Sequence, residues 1–229
     1  MAEIDAKYLA FYRARSPRRV YPVEFVVRAL LGKYPRHELD RAKLVGGRAL
    51  DLGFGDGRNM PLLSDLGLKV SGVEIEEAIC SQATELMRTG YGIDIDARVG
   101  RNVSIPFEDG VFDVVLACHA CYYVDDGFTF ADNAREIARV TKPGGVFIFS
   151  APMSTSYVLR DGEDVGTGHV RVTRDPYGVR NGYVLKKFDN EAEIKAALDT
   201  YFTNFSTGSA RNDWWGIEEQ VWIVSCTRI

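Results

Sequence analysis

The chain has 229 residues, of which 46% are hydrophobic and 11% aromatic, enough to bury the core of one α/β domain. Its formal net charge of −4 argues against a nucleic-acid partner, because nucleic-acid surfaces depend on clustered lysine and arginine. The sequence contains no apolar run of roughly 20 residues, which a bilayer crossing requires, and no signal-peptide pattern. We therefore expect a cytoplasmic protein with no membrane partner.

The N-terminal residues 1–46 are predicted to form a helical cap, with a helical pattern from about Tyr8 to Val45. Its apolar stripe has the 3, 4 spacing of one helix face and ends near Gly32; the stripe residues are Phe25, Val26, Ala29 and Leu30. A basic cluster lies around Ser16 and Pro17, and we leave open whether it is solvated surface or captures an anion. The cluster consists of Arg13, Arg15, Arg18 and Arg19.

Residues 47–151 alternate between short apolar runs and helical patterns. This alternation predicts right-handed β-α-β crossovers and a parallel sheet, with helices at 58–66, 76–89 and 128–140. The predicted strands are Arg48–Leu52, Lys69–Ile75, Ile93–Val99, Val111–Cys118 and Val146–Ser150.

Residues 152–187 interrupt this alternation and show no clear periodicity. An irregular insertion of that length after a strand is typical of a lid, and its arginines could bind an anionic acceptor, although ordinary surface polarity explains them equally well. Residues 188–229 are predicted to contain a helix with an Asn190–Glu193 capping box and two strands, at 201–206 and 221–227. Trp214 and Trp215 are expected to pack in the core or at a sheet edge.

A glycine-rich bend between the first strand and its helix is the most informative segment. It reads Asp51-Leu-Gly53-Phe-Gly55-Asp-Gly57, and the free N–H groups at such a bend attract a carboxylate or a phosphate. A dinucleotide fingerprint would have a glycine where Arg58 stands. The carboxylate of Asp51 would repel a pyrophosphate but would pair with an ammonium group.

Glu74 ends the second predicted strand, where an acidic side chain can accept hydrogen bonds from both ribose hydroxyls. Together with the bend, it indicates a ligand that has an amino-acid end and a ribose end.

Four segments carry a resemblance to a known family: residues 49–57, 70–75, 105–116 and 136–150. In order and spacing they resemble the motifs of the class I S-adenosylmethionine-dependent methyltransferases. The resemblance implies a doubly wound, mostly parallel seven-stranded sheet with a reversed last strand, and S-adenosylmethionine as the cofactor. It further implies that Glu74 holds the ribose, and that the methionine moiety is held by Asp51, Gly53, Gly55 and Gly57.

One segment departs from the family pattern. Many relatives have Gly-Asp-Ala where this chain has Gly100-Arg101-Asn102. We expect Asn102 to accept a hydrogen bond from the adenine amine and Arg101 to stack on the adenine ring.

The segment after the fourth strand, residues 118–123, supplies the candidate catalytic groups, because strands of such a sheet present ligands at their carboxyl ends. Cys118 is expected beside the cofactor. His119 is the best candidate base, with a loop-orienting histidine as the alternative, and Tyr122 and Tyr123 are expected to be pocket walls or packing residues. A redox or zinc role for Cys118-x-x-Cys121 is disfavoured, because zinc needs about four ligands and no second pair matches; no metal is expected.

The sequence therefore favours a single-domain methyltransferase that acts on a small molecule, such as a sugar or another hydroxylated or acidic metabolite, as a monomer or homodimer. Two alternatives stay open at this point. One is an NAD(P)-dependent oxidoreductase, and the other is a non-catalytic nucleotide-binding regulatory protein.

Overall fold

The computed structural model describes residues 2–14 and 19–229. In chain order, the helices and strands are α1 (Ala2–Arg13), α2 (Glu24–Leu31), β1 (Lys33–Tyr34), β2 (His37–Glu38), β3 (Arg48–Leu52), α3 (Met60–Asp65), β4 (Lys69–Glu74), α4 (Glu77–Leu86), β5 (Asp96–Val99), β6 (Phe112–Ala117), β7 (Tyr123–Val124), α5 (Phe130–Val140), β8 (Thr141–Pro152), α6 (Tyr157–Arg160), β9 (Glu163–Gly166), β10 (His169–Arg171), β11 (Val184–Lys186), α7 (Glu191–Leu198), β12 (Phe202–Trp214) and β13 (Ile217–Arg228). A 3₁₀ turn at Arg41–Lys43 precedes β3, and a π-helical turn at Met87–Tyr91 follows α4.

A seven-stranded sheet with the order β12-β13-β8-β6-β3-β4-β5 forms the centre of the molecule. The strands β8, β6, β3, β4 and β5 run parallel, and β13 is antiparallel to both of its neighbours. This arrangement confirms the expected sheet with one reversed strand.

Helices cover both faces of this sheet, so its central strands are buried on both sides. The inner strand β6 is therefore a nearly continuous apolar run. One face packs against α5 and α7, and the other packs against α2, α3 and α4. The residues at the ends of these strands are consequently held in place by a sheet that is packed on both faces.

The N-terminal segment is only partly helical. The predicted stripe is buried on α2, but Gly32 ends that helix in an extended conformation. The next residues form the β1–β2 hairpin, with Pro35 at a turn position that its fixed φ suits. The expectation of a helical pattern as far as Val45 is therefore wrong. Two members of the basic cluster, Arg15 and Arg18, lie outside the described residues, as do Ser16 and Pro17 between them. Arg19 lies over the ring of Tyr91.

The insertion after β8 is more regular than the sequence suggests. Its strands β9, β10 and β11 join β7 in a four-stranded antiparallel sheet with the order β7-β11-β10-β9. The new strands have only three or four residues each, too few for an alternating pattern to stand out. The expectation of an irregular segment is therefore wrong.

The C-terminal hairpin is longer than predicted and pairs as far as Trp214 and Ile217. Trp215 lies at its turn, where 96% of its surface is exposed. Trp214 lies on the edge strand β12, as one of the two expectations has it, with 46% of its surface exposed, whereas the expected packing is wrong for Trp215. The Asn190–Glu193 cap is present, since the Asn190 side chain accepts the Glu193 N–H. Among the described residues, no helix is long and apolar enough to cross a membrane.

Candidate functional site

A cavity of about 370 Å³ opens at the carboxyl ends of β3, β4 and β6 and extends to β13. From β4 to β13 is four strand positions, roughly 19 Å at the usual spacing of about 4.8 Å. Several residues singled out from the sequence line the cavity; they are Gly53, Glu74, Arg101, Asn102, Cys118 and His119. Asp51, Gly55 and Gly57 do not line it and lie behind its wall.

The glycine bend has the backbone that its composition predicts. Gly53, Gly55 and Gly57 have φ values of 67°, 59° and 74°, in the left-handed region that glycine tolerates best. A β-carbon on Gly55 would lie 2.5 Å from the hydroxyl oxygen of Tyr12. The bend therefore has a left-handed backbone conformation and also packs closely against Tyr12 of α1.

Asp51 is fully buried behind this bend. Neither of its carboxylate oxygens has a hydrogen-bond partner in the described parts of the chain. Burial and then the charge of Glu74 raise the pKa of Asp51 well above its ordinary value. Because buried charges are normally paired, this carboxylate fits a cationic group of a bound ligand.

Glu74 is also buried, but its carboxylate is fully engaged. One oxygen accepts hydrogen bonds from the Tyr8 hydroxyl and the Gly55 N–H, each at 2.9 Å, and the other accepts the Ile75 N–H at 2.9 Å. Burial and the charge of Glu74 raise the pKa of Tyr8, so its hydroxyl stays protonated and donates. Glu74 is thus anchored by backbone groups and capped by a hydroxyl.

Arg101 joins three parts of the chain at the cavity wall. Its guanidinium donates to Asp5 of α1 at 2.6 Å and to Asp125 at 2.9 Å. Asp5 also accepts the Tyr183 hydroxyl at 2.7 Å, which ties α1 to the insertion. Arg101 therefore has carboxylate partners in this state, and its stacking on adenine stays a prediction.

Asn102 holds the segment that follows β6. Its side-chain nitrogen donates to the carbonyl oxygens of Ala120, at 2.9 Å, and Tyr123, at 3.0 Å. Its side-chain oxygen has no hydrogen-bond partner within residues 2–14 and 19–229. This geometry leaves that oxygen available to accept from an amine.

His119 occupies a strained position at the end of β6, with a φ of 56°. Its backbone N–H donates to Ser150 Oγ at 2.9 Å, and the same oxygen lies 3.2 Å from Nδ1 of its ring. Its Nε2 atom lies 3.7 Å from a carboxylate oxygen of Glu219 on β13. Burial lowers the pKa of His119, which Glu219 opposes, so the imidazole is neutral at neutral pH.

The two cysteines of the Cys118-x-x-Cys121 segment lie in different environments. Cys118 lines the cavity, where burial raises the pKa of its thiol and keeps it protonated. Cys121 is buried in the hydrophobic core against the α5 side of the sheet. The described residues contain no group of three or more potential ligand side chains that could hold a metal ion.

The insertion provides much of the far wall of the cavity. Tyr177, Arg180 and Tyr183 line it, together with Tyr123 and with Tyr157 of α6. Tyr122 stacks on Tyr123 with 5.0 Å between ring centroids. The wall is therefore mostly aromatic, with one arginine.

Sequence reasoning missed the residues that act across the fold, above all Tyr8, Tyr12, Ser150 and Glu219. Tyr8 lies in α1, and Glu219 lies in a short polar stretch, 218–220, near the start of β13. Their roles depend on long-range pairing, for which no local motif exists in the sequence.

Comparisons with known proteins agree with this geometry. Residues 50–149 match the methyltransferase domain family. The chain is 35% identical over 104 residues to 2-methyl-6-phytyl-1,4-hydroquinone methyltransferase of Synechocystis sp., a match that covers 45% of this chain and 31% of that protein. It is 31% identical over 110 residues to ubiquinone biosynthesis O-methyltransferase of Burkholderia multivorans, covering 48% of this chain and 46% of that protein. The chain thus spans less than half the length of either curated relative.

A solved structure shows the same fold over the whole chain. The crystal structure of an S-adenosylmethionine-dependent methyltransferase from Thermotoga maritima has a TM-score of 0.61 and 20% identity, and the alignment covers 100% of both chains. Residues 50–149 therefore match a methyltransferase domain in sequence, and the chain shares the fold of this solved structure.

Proposed function

We propose that the protein is an enzyme that transfers a methyl group from S-adenosylmethionine to a hydroxylated small molecule bound in the cavity. The observation that carries this proposal is the buried, unpartnered carboxylate of Asp51 behind a left-handed glycine bend. An amino-acid ammonium group would satisfy that carboxylate, whereas a pyrophosphate would be repelled by it.

The residues that would hold the cofactor lie at two neighbouring strand ends. In this proposal Asp51 pairs with the ammonium group, and Gly53 forms the cavity wall in front of it. Glu74 accepts from the ribose once the Tyr8 hydroxyl gives way, and the Asn102 side-chain oxygen accepts from the adenine amine. Cys118 lines the cavity beside the cofactor with an uncharged thiol. When bound there, S-adenosylmethionine supplies an activated methyl group on a sulfonium centre.

His119 serves as the general base in this proposal. In the tautomer that donates Nδ1–H to Ser150 Oγ, its Nε2 atom is free to accept the proton of an acceptor hydroxyl. Glu219, 3.7 Å from Nε2, then stabilises the imidazolium that forms. Because burial lowers the pKa of His119, the base is in its active form at neutral pH.

The acceptor occupies the half of the cavity on the β6, β8 and β13 side. The two curated relatives are named for a hydroquinone and for ubiquinone biosynthesis, which supports a hydroxylated ring compound and is compatible with a sugar or another metabolite. The insertion lines this half, and we infer that it acts as a lid. We place the reaction in the cytoplasm, without a nucleic-acid partner.

Calorimetry with S-adenosylhomocysteine and with NADH tests the cofactor assignment. We expect the first to bind and the second not to bind; the reverse would favour an oxidoreductase. Incubation with methyl-labelled S-adenosylmethionine and fractionated metabolites then tests turnover. Cofactor binding without any labelled product would indicate a non-catalytic binding protein, and full activity of His119→Ala would remove that residue from catalysis.

A further inference from the structure

Arg180 stands in the acceptor half of the cavity, and its side chain is 29% exposed. Its Nε donates to the Tyr123 hydroxyl at 3.1 Å, and its Nη1 lies 3.3 Å and 3.5 Å from the two carboxylate oxygens of Asp175. Its Nη2 has no hydrogen-bond partner among the described residues. The guanidinium is therefore fixed through Nε and Nη1, and the N–H groups of Nη2 remain available to a ligand.

Asp175 only partly neutralises this arginine. Its fully buried carboxylate accepts the backbone N–H groups of Val179 and Arg180, each at 2.9 Å, and that of Tyr177 at 3.3 Å. Its contacts with the guanidinium are longer than the usual 2.7–2.9 Å of a charge-assisted hydrogen bond. Asp175 thus shapes the loop that presents Arg180 and leaves the cation able to bind a second anion.

The other cations of the cavity wall have close carboxylate partners. Arg58 pairs with Asp56 at 2.7 Å, and Arg101 pairs with Asp5 and Asp125. Of the arginines that line the cavity within the described chain, Arg180 is the one whose carboxylate contacts all exceed 3 Å.

Arg180 is also close to the proposed chemistry. Burial lowers the pKa of His119 and raises the pKa of Tyr157 to about 12, and the charge of Arg180 acts to lower the pKa at both groups, so Arg180 lies close enough to act on the proposed base. Two tyrosines contact it: the Tyr123 hydroxyl oxygen accepts the hydrogen bond from Nε, and the Tyr177 ring centroid lies 5.9 Å from the guanidinium carbon. A flat ring that enters between these tyrosines would bring a substituent to the guanidinium.

On the basis of the proposed function, we propose that the methyl acceptor carries an anionic group, a carboxylate or a phosphate, which binds to Arg180 while its hydroxyl faces His119. Arg180 then determines specificity, because its planar donors match both anions, and a neutral acceptor would leave the spare donors of this guanidinium without an anionic partner. The shared chemistry is an acidic, hydroxylated ring compound.

Two matched pairs of probes test this proposal by calorimetry, with and without saturating S-adenosylhomocysteine. The carboxylate pair is 4-hydroxybenzoate against 4-hydroxybenzamide, and the phosphate pair is glucose 1-phosphate against methyl glucoside. Arg180→Gln removes the charge, and Arg180→Lys keeps it. Arg174→Gln is the control, because the Arg174 side chain is 83% exposed in the same insertion and does not line the cavity.

We expect at least one acid to bind about tenfold or more tightly than its neutral partner. The preference should fall to about twofold or less in Arg180→Gln, persist in part in Arg180→Lys and be unchanged in Arg174→Gln. The pair that shows the preference identifies the anion as a carboxylate or a phosphate.

Equal binding of acid and neutral partner, no binding of any probe at 10 mM, or a preference that survives in Arg180→Gln would overturn the proposal. If Arg180→Gln does not fold, Arg180→Lys decides the matter, because its preference should be weaker than that of the native protein. Loss of S-adenosylhomocysteine binding would instead count against the proposed function, and the acid preference of the ligand-free protein is measured independently of it.

Discussion

Replacement of Asp51 by asparagine should change cofactor affinity and stability in opposite directions. Both carboxylate oxygens are buried without a partner, so Asp51→Asn removes a charge and breaks no hydrogen bond among the described residues. A charge-assisted hydrogen bond to a bound ammonium contributes about 1.5–3 kcal/mol, and its loss should weaken binding of S-adenosylhomocysteine roughly 10- to 150-fold. The ligand-free variant should be more stable at neutral pH, on the order of 1–3 kcal/mol, since the native protein must either hold a buried unpaired charge or take up a proton to neutralise it.

The pH dependence of the same variant has a defined sign. The folded-state pKa of Asp51 is raised above its ordinary value of 3.8, so the group destabilises the native protein increasingly as pH rises above the unfolded-state pKa. The stability gained by Asp51→Asn should therefore grow from about pH 4 upward. Binding of an ammonium-bearing ligand favours the ionised carboxylate, so the native protein should release a proton on binding and the variant should not.

Calorimetry in buffers of different ionisation enthalpy measures both the affinity and the released proton, and thermal unfolding between pH 4 and pH 8 measures the stability. Asp113→Asn is the matched control. Asp113 lies near the amino end of the central strand β6, whereas the cavity lies at the carboxyl ends of the strands. It accepts hydrogen bonds from Lys142 Nζ and the Arg48 N–H, all at 2.8 Å. That variant should lose stability and keep its affinity. Unchanged affinity in Asp51→Asn would refute the assignment of Asp51 to the ammonium group.

The remaining predictions concern the proposed base, His119, and the contacts of α1 with the proposed cofactor site. Glu219→Gln should lower kcat roughly 5- to 100-fold and move the acid limb of the pH–rate profile to lower pH, because the carboxylate raises the pKa of His119; an unshifted limb would exclude this pairing. Tyr8→Phe removes one of the two hydrogen bonds to the same Glu74 oxygen, so calorimetry should show S-adenosylhomocysteine binding about two- to tenfold more tightly; weaker binding would show that the hydroxyl belongs to the bound state. Gly55→Ala should lower the free energy of unfolding by about 1–3 kcal/mol, because φ is 59° and the new methyl group meets α1; thermal unfolding with no change would contradict that strain.

Local sequence patterns located all five strands of the parallel core, although β5 begins later than predicted, at Asp96, and β8 is longer than predicted, Thr141–Pro152. The bounds of β3 were predicted without error, and those of β6 within one residue, since a short apolar run between turn residues marks a strand covered on both faces. The buried stripe of α2 followed from its 3, 4 spacing. The insertion was not predictable in the same way, because its short strands gain their stability from pairing with β7.

The sequence by itself determined the order of strands and helices in the parallel core, the glycine bend and the carboxylate at the next strand end, because turn chemistry and side-chain periodicity act within ten or twenty residues. Only the tertiary structure decided what surrounds them. The Tyr8–Glu74 hydrogen bond joins residues 66 positions apart, and the Tyr183–Asp5 bond joins residues 178 positions apart. Such partners are selected by the packing of distant elements on one sheet, and no local pattern encodes that choice.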